Sequence, residues 1–477
     1  MKRTKIVCTI GPASETKTTL TKMINAGMNV ARLNFSHNVH EYHLGVLKKV
    51  RAISDKLDKP VAILQDLQGP RIRLGDLPKA GYDIKRGDII TLTTSAKKKK
   101  GSIPVTYKKM HSDVKIGQRI FIADGVIKLK IKKVKGEDVV CEVINGGHIS
   151  SHKGMNLPDT DVQVSALSAK DKKDLEFGVK HKVDFIALSF VRNAAEVNNL
   201  RRLIEKLEKK KHISGNPPIK IIVKIERKEA IDNLDEILEA TDAVMVARGD
   251  LGVELPAEDV PLMQKMIIDK CLTAAKPVIV ATQMLDSMIE NSRPTRAEVS
   301  DVANAVIDHT DAVMLSGETA TGSYPVEAIT CMRKIIEKTE KSTYDDLVLK
   351  QKVKKITPVS EAVSSVAKSL STQVKVKFIL VASISGHSGR IVSRYRPEKP
   401  IYVATQDERV KRQLCLTWGV QSFVLPKCET LISFIEKAEE YLKKYKNAEK
   451  GDNMIIVGGV PVGKIGNLNL VEVKVVG

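Results

Sequence analysis

Aromatic side chains are scarce in this chain: they make up 4% of its 477 residues, and Trp418 is the single tryptophan. That scarcity argues against a protein that grips nucleic acid by stacking bases on exposed rings. Long apolar runs are missing too, and no segment reaches the roughly 20 apolar residues that a membrane-spanning helix needs. The opening Met1-Lys2-Arg3 leads straight into a strand-like run rather than the apolar core of a signal peptide. No Cys-x-x-Cys occurs, and Cys8, Cys141, Cys271, Cys331, Cys415 and Cys428 are scattered. They read as reduced, mostly buried residues of a cytoplasmic protein.

What is abundant is positive charge, a formal net of +21. The lysines are spread along the whole chain, and the one dense run, Lys97 to Lys100 before Gly101, reads as an exposed turn. Anionic small substrates account for such a balance more simply than nucleic acid does. A basic nucleic-acid-binding protein stays open as the alternative from a different class, and it predicts tight, salt-dependent binding.

A chain of 477 residues is too long for one core and should hold two or three domains. Eight near-continuous apolar runs, 5–10, 28–35, 61–67, 183–191, 219–226, 242–248, 277–284 and 312–316, alternate with amphipathic stretches such as 14–26 and 40–56. That pattern predicts an α/β fold, a closed (β/α)8 TIM barrel, over residues 1–69 and 168–344. Between its halves, residues 70–167 carry short alternating runs (88–93, 119–122, 126–134, 138–143) and Gly/Asp turns. They predict an inserted all-β domain, a small β-barrel able to act as a lid. Residues 345–477 start with a lysine-rich stretch. They predict a C-terminal open α/β sheet with strands at 378–383, 401–404, 421–425, 454–457 and 471–476.

A barrel of this kind gathers its chemistry where the strands end. The fifth run closes on Lys224-Ile225-Glu226, and alternation sets Lys224 and Glu226 on one face. The sixth closes on Arg248-Gly249-Asp250. Two carboxylates beside a lysine suit Mg2+ or Mn2+ and an anionic oxygen ligand. Gly249 allows close backbone approach at a helix start, where amides bind anions. The second run ends Arg32-Leu33-Asn34-Phe35-Ser36-His37, the third Gln65-Asp66-Leu67-Gln68-Gly69-Pro70-Arg71, the seventh Ala281-Thr282-Gln283-Met284 and the eighth Ser316-Gly317-Glu318-Thr319. Each signal alone is weak, since Ser, Thr and Gly also cap helices and a Lys-Glu pair is often a solvated surface pair. Six such strand ends on one rim are a different matter.

These strings resemble the pyruvate kinase family along the whole chain. They run from Thr9-Ile10-Gly11-Pro12-Ala13-Ser14 through Ala31-Arg32-Leu33-Asn34-Phe35-Ser36-His37, Val223-Lys224-Ile225-Glu226 and Met245-Val246-Ala247-Arg248-Gly249-Asp250-Leu251-Gly252. They continue through Ala281-Thr282-Gln283-Met284-Leu285 to Leu315-Ser316-Gly317-Glu318-Thr319-Ala320. The resemblance implies phosphoryl transfer from phosphoenolpyruvate to ADP, giving pyruvate and ATP. It implies that Glu226 and Asp250 hold the divalent metal, Lys224 steadies the migrating phosphoryl group and Arg32 grips the substrate phosphate. The backbone of Gly249 and Asp250 would bind the substrate carboxylate, and Thr282, with Ser316 behind it, would serve the proton route to the enolate carbon. Asn34, His37, Arg73 and Lys153 would contact the nucleotide. A metal-dependent aldolase or lyase of the pyruvate-enolate type is the competing enzyme, but it needs no nucleotide clamp.

One position departs from the family. Potassium-dependent members carry an acid where this chain has Arg71, near a cation held by the equivalents of Asn34, Ser36, Asp66 and the carbonyl of Leu67. A fixed guanidinium near Asp66 can replace that ion, which implies catalysis without potassium; a solvated rim charge is the alternative. Farther on, Ser383-Ile384-Ser385-Gly386-His387-Ser388-Gly389-Arg390 resembles the family's effector phosphate loop, with a plain helix cap as the alternative. Ile384 stands where some bisphosphate-activated members have lysine, which leaves a monophosphate effector open. The family resemblance also implies a homotetramer.

Overall fold

The computed structural model describes residues 2–477 except 96–100, 124, 161, 163, 165, 211–216, 347–357, 462 and 465. The lysine run Lys97 to Lys100 and most of the lysine-rich stretch after 345 lie outside the described residues. All eight expected barrel strands form. They are Lys5–Thr9, Val30–Asn34, Ala62–Asp66, Phe185–Leu188, Lys220–Ile225, Ala243–Ala247, Val278–Ala281 and Ala312–Leu315, every neighbouring pair parallel, the eighth closing on the first. Strands buried on both faces need apolar side chains inside and out, and β-branched residues fit the pleat best. Hence inward-facing Val7, Leu64, Ile222 and Met245 fill the barrel while their strand neighbours Cys8, Ile63, Val223 and Val244 pack under the surrounding helices. Capping fixes where several helices begin: Thr16 accepts from the amide of Thr19, and Ser168 and Thr295 form capping boxes with Asp171 and Glu298.

The segment between the third and fourth barrel strands folds on its own core of Leu92, Ile120, Leu129, Val139 and Cys141. Its strand pairing is in keeping with the expected small β-barrel. Among the described residues, six strands form one sheet, in the order Met155–Asn156, Arg119–Ile122, Ile127–Lys135, Asp138–Asn145, Ile89–Thr93, Ser102–Pro104. Gly147–Ile149 and Tyr82–Ile84 make a separate ribbon. Beyond the two outer strands, Leu74 bridges to Val105 next to Pro104 and Arg73 bridges to Gly154 next to Met155, so one short segment joins both ends of the sheet. A one-turn helix, Met110–Asp113, interrupts the strands.

The C-terminal domain is the expected open sheet, ordered Val420–Val424, Ile401–Thr405, Phe378–Ala382, Asn453–Gly458, Leu470–Val475, with only the last strand antiparallel. Its 3-10 turn Leu414–Leu416 reaches under the barrel, where Cys415 and Leu416 join the barrel's interior core. Around that plug, Gln413 donates to the carbonyls of Asp184 and Pro218, and Arg412 sits 2.9 Å from Asp184. Among the described residues no helix is long and apolar enough to cross a membrane.

Candidate active site

Register decides which side chains meet at the barrel's C-terminal rim. Lys224 is the penultimate residue of the fifth strand and Glu226 follows that strand's last residue, so both project from one face. Lys224 Nζ stands 2.6 Å from Glu226 Oε1, donates to Ser189 Oγ at 3.0 Å and lies 3.8 Å from Asp66 Oδ1. Asp66, the last residue of the third strand, accepts from Arg32 Nε at 2.7 Å, with Arg32 Nη2 also 2.7 Å away. Arg32 Nη1 donates to Thr9 Oγ1 at 2.8 Å, and Glu226 Oε2 accepts from the amide of Phe190 at 2.7 Å. Arg32, Asp66, Lys224 and Glu226 are all buried.

Charges this crowded set one another's protonation. Burial pushes the Asp66 carboxyl up, but Lys224, Arg32 and Arg71 outweigh it and hold the group below its usual range. Burial works against the Lys224 ammonium, yet Asp66, Glu226 and Asp250 raise it above its usual value. Glu226 is pushed up to about 7, first by burial and then by repulsion from Asp250, with Lys224 opposing. Two carboxylates that repel in this way fit a shared divalent cation. Among the described residues no three His, Cys, Asp or Glu side chains converge as a metal-binding group.

The seventh strand ends in strain. Thr282 and Gln283 take positive φ values of 71° and 54°, a conformation held only where surroundings enforce it. Arg248 does the holding. Its guanidinium donates to the carbonyls of Thr282 and Gln283 at 2.7 and 3.4 Å and pairs with Asp301 at 2.7 Å. Thr282 Oγ1 accepts from the amide of Gly249 at 2.9 Å and donates to the carbonyl of Ala281 at 2.5 Å. The Gly249 amide, expected to face a substrate carboxylate, is therefore engaged by Thr282. A Cβ at Gly249 would meet only ordinary contacts, the nearest at 3.6 Å, so nothing in the protein itself forces a glycine there. Ser316 Oγ is buried without a hydrogen-bond partner, while the Ser316 amide donates to Glu318 at 2.7 Å.

Arg71 departs from the sequence expectation. Its field reaches Asp66, but its ion contact is with Asp250, 3.9 Å away. The reason is position: Arg71 lies beyond Pro70, on a cleft of about 640 Å3 between insert and barrel that it shares with Asp250, Asn156 and Glu254. Asn156 donates to Glu254 across that cleft at 3.3 Å. Of the other expected cation ligands, Asn34 Oδ1 accepts from the amide of Ser36 at 3.1 Å, and the Leu67 carbonyl accepts from Ser189 Oγ at 2.9 Å.

The four expected nucleotide contacts form two pairs. Asn34 ends the second barrel strand and the exposed His37 follows it, whereas Arg73 and the exposed Lys153 belong to the insert. There Arg73 bridges to Gly154, and the Lys153 carbonyl accepts from the amide of Leu74 at 2.9 Å. In the C-terminal domain, Ser383, Ser385 and Ser388 border a cavity of about 680 Å3 that also includes Lys464. Ser383 Oγ is buried without a partner, and Gly386 takes φ 77° to start the helix His387–Arg394. Sequence reasoning missed Ser189 as part of the rim, gave Thr9 and Arg248 no role there although both stand in strings it singled out, and gave Asp66 a smaller place than it has.

Known proteins agree with this architecture. Residues 1–329 match the family model described as pyruvate kinase, barrel domain, and residues 361–474 that of the pyruvate kinase alpha/beta domain. The chain is 40% identical to a pyruvate kinase of Clostridium acetobutylicum over the full length of both. It is 43% identical to one of Geobacillus stearothermophilus, covering all of this chain and 80% of that protein. A crystal structure of a pyruvate kinase from Cryptosporidium parvum superposes with a TM-score of 0.93 at 38% identity, covering 100% of this chain and 96% of that one. The chain belongs to the pyruvate kinase family and transfers the phosphoryl group of phosphoenolpyruvate to ADP, giving pyruvate and ATP.

Proposed function

We propose that the rim residues divide this transfer among themselves, and the observation that carries the reading is the Asp66-centred ion cluster. Phosphoryl transfer needs positioning and charge neutralisation more than covalent help. Arg32 grips the substrate phosphate and Lys224 stabilises charge on the moving group; Asp66 holds both cations in place and is a positioning residue. Glu226 and Asp250 hold Mg2+ or Mn2+, which acts as a Lewis acid toward the enolate oxygen when bound. The backbone at Gly249 and Asp250 takes the substrate carboxylate once Thr282 yields the Gly249 amide. Thr282 and Ser316 serve proton delivery together with water, since neither hydroxyl is by itself a strong acid. Asn34, His37, Arg73 and Lys153 hold the nucleotide when the insert closes.

Arg71 makes potassium unnecessary. Its guanidinium adds positive charge near both Asp66 and Asp250, where a mobile cation would otherwise sit among Asn34, Ser36, Asp66 and the Leu67 carbonyl. A coupled assay of pyruvate formation with Mg2+ tests this: rates within about twofold with and without potassium are expected. Strong activation by potassium overturns it. The serine loop of Ser383, Ser385, Gly386 and Ser388 takes the phosphate of an effector, and Ser388→Asp abolishes activation by sugar phosphates in the same assay; unchanged activation removes that pocket. Domain limits of 1–69 with 168–344, 70–167 and 345–477 are supported by the separate sheets of the three parts. The family resemblance points to a tetramer of 52.5 kDa chains, which would cover exposed Val366, Val473 and Val475, and six cysteines without a disulfide support a cytoplasmic location.

A further inference from the structure

Away from the rim, the underside of the barrel and the C-terminal domain enclose a second cavity, of about 200 Å3. Its walls carry four cations, Lys276 from the loop before the seventh barrel strand and Arg390, Arg394 and Arg396 from the C-terminal domain, against one carboxylate, Asp311. That carboxylate is already in use. Arg396 lies 3.2 Å from it, and the amides of Val278 and Trp418 donate to it at 3.1 and 3.2 Å. Arg394 is matched by Glu361 at 3.1 Å and by the carbonyl of Thr273 at 3.0 Å.

Lys276 and Arg390 are not matched. Lys276 Nζ donates to the carbonyl of Thr241 at 2.6 Å and has no carboxylate partner among the described residues. The Arg390 guanidinium makes neither a hydrogen bond nor an ion pair to any described residue. Asp242 acts on it through space, yet that carboxylate is taken by Lys220 at 2.9 Å, Arg201 at 3.0 Å and the amide of Ile221 at 3.0 Å. The uncompensated charge registers on its surroundings. Burial, and then the charges of Arg390, Lys220 and Arg201 acting against Asp242, hold Lys276 below its usual range. Burial followed by Arg390, Lys276 and Lys220 does the same to His387.

We propose that this cavity binds a phosphate-bearing anion between Lys276 of the barrel and Arg390 of the C-terminal domain. A planar guanidinium fork and an ammonium approaching from opposite walls suit the several oxygens of a phosphoryl dianion. The site is separate from the serine-lined cavity, although both border the helix His387–Arg394. An anion here draws together two domains whose facing charges repel, so it should tighten the seating of that helix on the barrel.

Calorimetric titration of the full chain at constant ionic strength tests the proposal, with inorganic phosphate and glycerol 2-phosphate as probes. Binding of either probe is expected, and which one binds tells whether free phosphate or a phosphomonoester is the natural source. Arg390→Gln and Lys276→Gln should each weaken it at least about tenfold, the scale of one lost charge-assisted contact, without loss of basal activity. Ser388→Asp should leave it unchanged. Binding at the barrel rim or the serine loop would survive both cavity substitutions, so unaltered binding in both overturns the proposal. Loss of binding in Ser388→Asp alone, or no binding to the parent chain, also overturns it. Should Arg390→Gln fail to fold, Lys276→Gln decides by itself.

Discussion

Asp66 shows how much one carboxylate can organise: Oδ2 holds Arg32 and Oδ1 faces Lys224, so the two cations cannot drift apart. Its field is matched elsewhere by a site where protonation works against the fold. His309 is held at about 4, by burial first and then by Arg396. A histidine depressed below 6.5 adds stability that is complete above 6.5 and is lost as pH falls through about 4, a span equivalent to roughly 3 kcal/mol at most. Asp345, 3.8 Å away, is pushed up to about 7, chiefly by burial. A raised carboxyl has the opposite sign: its contribution is complete below about 3.8 and is lost as pH rises through 7. In the parent chain the two offset. His309→Asn should unmask Asp345, so that urea-unfolding stability rises between pH 7.5 and 5 relative to the parent. Superimposable pH profiles for the two proteins would sink this account.

Helix Ala169–Lys180 shows the same economy at the level of an element, because it presses a glycine onto a barrel side chain. A Cβ on Gly178 would stand 1.8 Å from Gln65 Oε1, and Gln65 is anchored through its amide to the carbonyl of Asp174 at 2.6 Å. Gly178→Ala should therefore destabilise by about 1–3 kcal/mol through overpacking, although alanine favours helix by about 1 kcal/mol. Equal or higher stability in urea would contradict it. The strands themselves were legible because parallel strands buried on both faces leave continuous apolar runs, and Lys224 with Glu226 was legible from a period of two. Asp66 as a hub was not, because its tie to Lys224 depends on where the third and fifth strands lie around the ring. Thr9 and Ser189 had no legible role because a hydroxyl at a strand end reads as a helix cap, and the grip of Arg248 on Thr282 links two different strand ends. The insert's strands were visible, but their pairing order was not written in local alternation.

For the whole molecule, the plug under the barrel sets the terms. Leu416 is fully buried against barrel residues such as Val7 and Ile222, although it comes from another domain. Leu416→Ala should cost about 2–5 kcal/mol, as for other leucines cut back in a packed core. Denaturant unfolding of the two proteins checks it, and a loss under about 1 kcal/mol would mean the barrel's floor does not depend on this side chain. The plug also orders events in time. The last barrel strand ends at Leu315, yet Leu416 leaves the ribosome about a hundred residues later, some 5–20 s at ordinary elongation rates. Throughout that interval a nascent chain holds a barrel open at its base, with greasy surface facing water. Variants weakened at the plug should be betrayed by poor yield and chaperone attachment during synthesis before any slowing of turnover is measured.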